Sequence, residues 1–251
     1  VTLDSKLNAL FVFGTRPEAI KMAPVIQALN DDEAFNVQVA VTGQHREMLD
    51  QVLKAFNIPV DYDLKLMRHG QTPQQIVTGV LDGMGPIIEE ARPGLILVHG
   101  DTITTFAAAL SAFFAKVPVA HVEAGLRTQN PYDPFPEEMD RRLTGVLAEV
   151  HLAPTHWAKD NLLKENVSPD SVYVTGNTVI DALLETVRPD YQFEDPPIAQ
   201  AVESGRRLIV VTTHRRENWG EPMRRIYQAI LEIVGSFSDV HVVFAMHKNP
   251  V

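Results

Sequence analysis

The chain has 251 residues, of which 45% are hydrophobic and none is cysteine, and its formal net charge at pH 7 is -10. This length and hydrophobic content predict a globular chain with one large domain or two smaller ones. The acidic balance argues against nucleic-acid or membrane-surface partners, although a local basic pocket for one anion is compatible with it. The lack of cysteine excludes disulfides, thiol catalysis and cysteine metal sites.

The apolar runs are too short for a membrane span, since a spanning helix needs about 20 apolar residues. The first residues, VTLDSKLNALFVF, lack the basic start and the small-residue cleavage site of a signal peptide. We therefore expect a soluble protein of the cytoplasm with neither a membrane nor a nucleic-acid partner.

Short apolar runs alternate with helical patterns along the chain. Two segments, 17–30 and 136–149, repeat apolar residues at the spacing of one helix face. The strand candidates are 9–13, 37–41, 95–98, 117–122, 150–154, 171–175, 208–213 and 240–245. Because these strands are continuous apolar runs and do not alternate, they predict a parallel sheet covered on both faces. The predicted fold class is therefore α/β, doubly wound.

A change of composition predicts two domains. Residues 1–187 form the first, and residues 188–206, rich in proline and acids, are predicted to be a linker. Residues 207–251 begin a second α/β unit with two strands and one helix. Since so few elements cannot cover a sheet, we expect the second domain to be truncated in this chain.

Ligands bind parallel sheets at the carboxyl ends of the strands, so the residues after each strand are site candidates. After the first strand, Gly14 permits a tight turn and Arg16 lies at a helix N-terminus, which attracts anions. The same helix carries Lys21. The alternative is a plain strand–turn–helix with a surface arginine, and the segment matches neither of the common nucleotide-binding glycine motifs.

Three carboxylates come after successive predicted strands, where the chain leaves the sheet. They are Asp101, Glu123 and Glu137. Carboxylates that converge on one crevice are suited to proton transfer at carbon. The alternatives are that Asp101 caps the next helix and that Glu137 pairs with Arg141 on a helix surface. For Glu138 and Arg142, a surface pair is the favoured interpretation. His99 fits a buried, hydrogen-bonded histidine equally well.

Two basic segments follow the strands of the second unit. THRRENWG places His214, Arg215 and Arg216 together, which suits a diphosphate because arginine holds phosphate bidentately. The alternative is a basic surface loop. The ending HKNP repeats the pattern with His247 and Lys248. No close histidine pair of the H-E-x-x-H type occurs, so no metal site is predicted.

Seven segments together resemble the non-hydrolysing bacterial UDP-N-acetylglucosamine 2-epimerases. They are GTRPEAIKMAPV, QHREML, HGDTITTFAAAL, HVEAGLRT, PFPEEMDRRLTG, GNTVIDAL and THRRENWGEP. The resemblance runs in order through essentially the whole chain and implies two Rossmann-like domains in the GT-B architecture. It also implies a cytoplasmic homodimer that interconverts UDP-GlcNAc and UDP-ManNAc for surface polysaccharides.

The resemblance implies a mechanism without cofactor or metal. UDP is eliminated across C1–C2 to give 2-acetamidoglucal and is then added back with the opposite configuration at C2. Asp101, Glu123 and Glu137 match the acid/base residues. His214 and Arg16 match residues that bind or stabilise the UDP leaving group. Lys21 and Arg215 are assigned to the same role.

Some members bind a second UDP-GlcNAc as an allosteric activator, and the matching positions are Gln44, His45, Arg215 and His247. One departure is Asp140, which stands where the family usually has asparagine, so a local hydrogen bond must change. Family members are also longer, and their additional residues complete the uridine and diphosphate pocket. The rival interpretations are a hydrolysing relative that releases UDP and ManNAc, a glycosyltransferase of the same fold, and a nucleotide-sugar-binding module without turnover.

Overall fold

The computed structural model describes residues 6–43, 46–66, 68, 70–213 and 219–245, with the backbone alone for residues 46–47. The chain divides into two compact units, one ending at Val187 and the other starting at Arg188. Within the described ranges, no helix combines the length and the apolar character needed to cross a membrane.

The first unit alternates strands and helices. Its strands are β1 (Leu7–Phe13), β2 (Phe35–Val41), β3 (Tyr62–Asp63), β4 (Leu95–His99), β5 (Val119–Val122), β6 (Val150–Ala153) and β7 (Val172–Val174). Its helices are α1 (Arg16–Asn30), α2 (Arg46–Ala55), α3 (Pro73–Ala91), α4 (Ile103–Phe114), α5 (Glu137–Leu147), α6 (His156–Lys164) and α7 (Val179–Thr186). A single 3-10 turn, Pro169–Ser171, precedes β7.

The seven strands form one parallel sheet in the order β3-β2-β1-β4-β5-β6-β7. This confirms the doubly wound α/β prediction. The strand order runs outward in both directions from the β1–β4 pair, and a crevice forms outside the carboxyl ends at such a reversal. The two-residue strand β3 was not predicted, because so short an element leaves no apolar run in the sequence.

Two hydrophobic clusters explain why β1 is a continuous apolar run. Ala9, Phe11 and Phe13 belong to the cluster that includes buried residues of α1 and α2. Leu10 and Val12 belong to the cluster on α3 and α4. All five are fully buried, and burial of each large side chain contributes about 1.5–3 kcal/mol. Both faces of the strand therefore demand apolar side chains.

The second unit contains α8 (Pro196–Glu203), β8 (Arg207–Val211), α9 (Glu221–Ser236) and β9 (Val240–Phe244). Strands β8 and β9 pair in parallel. Helix α8 lies inside the range predicted as a linker. Arg207 donates two hydrogen bonds to Asp239, of 2.7 and 2.8 Å, at the start of the two strands.

Gly125, in the segment after β5, meets a strict steric requirement. Its φ is +86°, a left-handed conformation that side chains disfavour. A Cβ atom added there would lie 2.2 Å from the carbonyl oxygen of Ala158 in α6. The close approach of this segment to α6 therefore requires glycine.

We expect Gly125→Ala to lower the free energy of unfolding by about 3 kcal/mol or more, because it adds a backbone clash to the strained φ. The control is Gly176→Ala, whose φ is +80° but whose added Cβ would meet no atom within 4 Å. That control should cost about 1 kcal/mol. Urea denaturation of both variants measures the difference, and equal losses would contradict the steric argument.

Candidate active site at the carboxyl edge of the first sheet

Glu123 directly follows β5 and has an unusual backbone conformation. Its φ is +62°, in the left-handed region, although it is not a glycine. Only 8% of the residue is exposed. Strained backbone at a buried charged residue costs about 1–3 kcal/mol and is concentrated at functional sites in proteins. The conformation therefore marks Glu123 as a candidate functional residue.

Three side chains surround the Glu123 carboxylate. Lys21 donates from Nζ to Oε2 at 2.5 Å, and Asn177 donates from Nδ2 to the same oxygen at 2.9 Å. The Arg141 Nη2 lies 3.5 Å from Oε1. Two cations and an amide thus hold the carboxylate in a single orientation.

The surroundings of Glu123 favour its ionised form. Burial raises its pKa, but His99, Lys21 and Arg141 together outweigh burial, so the pKa of Glu123 lies below its usual value. Burial lowers the pKa of His99 to about 4, so this histidine is neutral at neutral pH. The cations that keep Glu123 ionised at neutral pH are therefore Lys21 and Arg141.

Arg141, in α5, links two of the predicted catalytic carboxylates. Its guanidinium donates from Nη1 to the backbone carbonyl of Glu123 and from Nη2 to the Asp101 carboxylate. Its side chain is only 7% exposed. The alternative in which Arg141 forms a surface pair with Glu137 is therefore wrong.

Asp101 lies in the turn between β4 and α4, with its side chain 32% exposed. The helix cap is Thr102, whose hydroxyl accepts a hydrogen bond of 3.1 Å from the Thr105 amide. The alternative in which Asp101 caps α4 is therefore wrong. Its carboxylate is instead held by Arg141 and faces a cavity of about 270 Å³ that Trp157 also lines.

Glu137 is the first residue of α5, one position after the start of the helix predicted over 136–149. Its Oε2 is buried and has no hydrogen-bond partner in the described part of the chain, and the same is true of Oδ2 of Asp140. Burial first, and then the charges of Glu137 and Asp101, raise the pKa of Asp140 to about 7. These three carboxyl groups therefore interact electrostatically.

The predicted pair of Glu138 and Arg142 is present, at 2.9 Å, but Glu138 is buried, so the expected surface position is wrong. Glu138 also accepts hydrogen bonds from the backbone amides of Thr128 and Gln129, at 2.9 and 3.3 Å. The pair therefore fixes the segment after β5 onto α5.

A fourth buried carboxylate, Glu18, was not singled out from the sequence. It accepts hydrogen bonds from the amides of Gly14 and Thr15, at 3.1 and 2.7 Å, and from the hydroxyls of Thr102 and Thr105, at 2.8 and 3.1 Å. Burial raises its pKa despite these bonds. Glu18 thus ties the start of α1 to the start of α4.

Arg16 and Lys21 occupy different positions on α1. Arg16 is the exposed first residue of the helix. Lys21, predicted to bind substrate, contacts Glu123 directly. The other predicted site residues, Gln44, His45, His214, Arg215 and His247, lie outside the described residues.

Two further contributors to the site, Asn177 and His121, were also missed. Asn177 follows β7, so the rule that located Asp101 and Glu123 at strand ends applies to it as well. His121 lies within β5 and forms a 2.7 Å hydrogen bond through Nε2 with the carbonyl of Gly100. Burial keeps the pKa of His121 well below its usual value. The sequence of an apolar strand does not show that a histidine within it bonds to the backbone carbonyl of a neighbouring segment.

Comparison with known proteins places this chain in a family. The family model described as UDP-N-acetylglucosamine 2-epimerase matches residues 27–251. A UDP-N-acetylglucosamine 2-epimerase of Bacillus subtilis is 52% identical over 246 residues, which are 98% of this chain and 64% of that protein. The chain therefore spans about two thirds of the length of the relatives it matches.

Two solved structures are similar to the chain along 97% of its length. The UDP-GlcNAc 2-epimerase of Neisseria meningitidis bound to UDP-GlcNAc has a TM-score of 0.87 at 48% identity, with 67% of that chain covered. The S. aureus MnaA structure with UDP has a TM-score of 0.85 at 45% identity, with 64% covered. These similarities confirm the predicted GT-B type of fold.

We expect Lys21→Met to raise the pKa of Glu123 and to lower the free energy of unfolding at neutral pH by about 2 kcal/mol, because a buried charge loses its partner. When the pKa of a carboxyl group is lower in the folded protein than in the unfolded chain, the group stabilises the fold at any pH above its pKa in the unfolded chain. This stabilisation is lost as the pH falls through the pKa of the group in the folded protein. The destabilisation should therefore shrink below about pH 4.

Denaturation of Lys21→Met across the acidic range measures this effect. The matched control is Lys54→Met, which removes an exposed lysine in the last turn of α2. A destabilisation by Lys21→Met that does not change with pH would contradict the proposed pairing with ionised Glu123.

Proposed function

Because the chain belongs to the UDP-N-acetylglucosamine 2-epimerase family, we propose that it interconverts UDP-GlcNAc and UDP-ManNAc. The observation that carries this proposal is the contact of buried Glu123 with Lys21 and with the guanidinium of Arg141, which also holds Asp101. An ionised, oriented carboxylate beside a second one is suited to take up and return a proton.

The proposed reaction is an elimination followed by an addition. The C1–O bond to UDP breaks with its electron pair leaving on UDP, a carboxylate takes the C2 proton, and a C1=C2 double bond forms. The intermediate is 2-acetamidoglucal. Return of a proton to the other face of C2 and of UDP to C1 gives the epimer, so that atoms and charge balance without an added reagent.

We assign the three carboxyl groups to the two faces of C2. Glu123 is ionised through Lys21 and Arg141, so we assign it to proton removal or return at C2. Asp101 and Glu137 are the candidates for the opposite face. Their positions after β4 and at the start of α5 place both at the carboxyl edge of the sheet.

Departure of the diphosphate requires cationic groups. Arg16 lies at the N-terminus of α1, where backbone amides also favour an anion. The resemblance adds His214 and Arg215 to this group. The similar proteins from Neisseria meningitidis and S. aureus have structures with UDP-GlcNAc and with UDP, which supports this substrate and this leaving group.

The remaining features of the proposal follow the family. We place the protein in the cytoplasm as a homodimer that needs no metal, nicotinamide, nucleic acid or membrane. A second UDP-GlcNAc is proposed to bind as an activator at Gln44, His45, Arg215 and His247. These assignments rest on the resemblance of the segments that contain them.

We expect Glu123→Gln to lower turnover of UDP-GlcNAc by a factor of about 10²–10⁴, the usual contribution of a general acid or base. Affinity for UDP should change little, since the amide keeps the size of the carboxylate. Proton NMR of the sugar measures turnover and calorimetry measures UDP binding.

The control for this experiment is Glu149→Gln, which alters an exposed glutamate between α5 and β6. Turnover by Glu123→Gln at the level of the control would remove Glu123 from the mechanism. Binding of UDP-GlcNAc without turnover by the unsubstituted protein would instead favour a binding module, and release of free ManNAc a hydrolysing relative.

A further inference from the structure

Asp140 is a buried carboxyl group that the proposed mechanism does not use. Only 8% of the residue is exposed, and its Oδ2 has no hydrogen-bond partner in the described ranges. It lies three residues after Glu137 on α5, so both side chains extend from neighbouring positions of one helix face. The Glu137 Oε2 is likewise buried without a partner.

The charges around Asp140 disfavour its ionisation. Glu137 on its own helix and Asp101 in the turn after β4 act on it, and both are acidic. Arg141 is adjacent in sequence, but its guanidinium donates to Asp101 and to the Glu123 carbonyl. This guanidinium is therefore already engaged with other acceptors.

The elements packed on α5 contribute little to compensate Asp140. Helix α4, which contacts α5, has the sequence ITTFAAALSAFF and carries no charged side chain. Strand β5 and the residue after it contribute His121 and Glu123. His121 is neutral, bonded to the Gly100 carbonyl, and Glu123 is held by Lys21 and Asn177.

We propose that Asp140 stays protonated up to neutral pH and acts as a positioning residue, its buried carboxyl lying neutral beside Glu137 and Asp101 at the start of α5. A protonated carboxyl can donate, whereas an ionised one only accepts. Burial, followed by the charges of Glu137 and Asp101, raises the pKa of Asp140 to about 7, in agreement with this geometry. One proton thereby allows the buried Asp140 to lie beside two other carboxyl groups without adding a third negative charge.

The consequence for the active site rests on the proposed function. While Asp140 is neutral, Glu137 and Asp101 experience no additional negative charge. When it ionises, it adds a negative charge beside them, which repels the departing diphosphate. Turnover should therefore decline as pH rises above about 7, and this decline should be absent from Asp140→Asn.

The direct test is the pH dependence of stability. The usual pKa of an aspartate, 3.8, is below that of Asp140 in the fold, so the unfolded chain loses this proton first as pH rises. The unfolded state then binds fewer protons, and stability falls with increasing pH between the two pKa values. Asparagine keeps the size and supplies a permanent N–H donor, so it removes this loss.

We expect the melting temperature of Asp140→Asn to rise relative to that of the unsubstituted protein between about pH 4 and about pH 7, which is the range between the two pKa values. The control is Asp160→Asn, an exposed change in α6 that should show no such trend. A difference for Asp140→Asn that stays constant, or that falls with pH, would overturn the proposal.

A second measurement does not depend on the stability of the variant. In protein labelled with ¹³C at aspartate carboxyl groups, the resonance that disappears in Asp140→Asn should titrate near pH 7 in the unsubstituted protein. Glu137→Gln should lower its midpoint, because a neighbouring negative charge is removed. A midpoint near 3.8 would show an ionised Asp140 and refute the inference.

Neither readout requires turnover. Failure of the epimerase assignment would therefore leave both results interpretable, and failure of the Asp140 assignment would leave the epimerase assignment intact.

Discussion

Compensation of the buried charge on Glu123 is the interaction on which the rest of the site depends. A carboxylate taken out of water without partners would bind a proton and could no longer act as a base at neutral pH. Lys21, Asn177 and Arg141 prevent this by direct contact. Because Arg141 also holds Asp101, the same guanidinium contacts two of the carboxylates to which we assign proton transfer. The site is therefore one connected network of ion pairs and hydrogen bonds.

The parallel sheet provides the partners of this network from distant parts of the chain. Lys21 comes from α1, Arg141 from α5 and Asn177 from the segment after β7, while Glu123 itself directly follows β5. Parallel strands align their carboxyl ends at one edge, so residues more than a hundred positions apart, such as Lys21 and Glu123, meet there. Glu123 is compensated by cations, whereas in our proposal the buried Asp140 is compensated by a bound proton.

The sequence predicted the fold class well because buried parallel strands are continuous apolar runs, as in β1 and β4. Its strand-end rule also located Asp101 and Glu123. The sequence did not predict the position of Arg141. Its i,i+4 spacing to Glu137 shows that a surface pair is feasible, but it does not show whether the side chain is buried. The contact of Arg141 with Asp101 joins residues 40 positions apart, and no local pattern encodes it. Glu18 was missed for the same reason, because its hydroxyl partners Thr102 and Thr105 belong to another helix.

The central claim is that the carboxyl groups at this edge transfer a proton at C2 of a nucleotide sugar. Proton NMR of UDP-GlcNAc incubated with the protein in D₂O tests it most directly. Our account predicts loss of the C2 proton signal through deuterium incorporation, together with formation of UDP-ManNAc and little free ManNAc. Formation of UDP-ManNAc with its C2 proton retained, or no exchange under conditions in which UDP-GlcNAc is bound, would contradict the account.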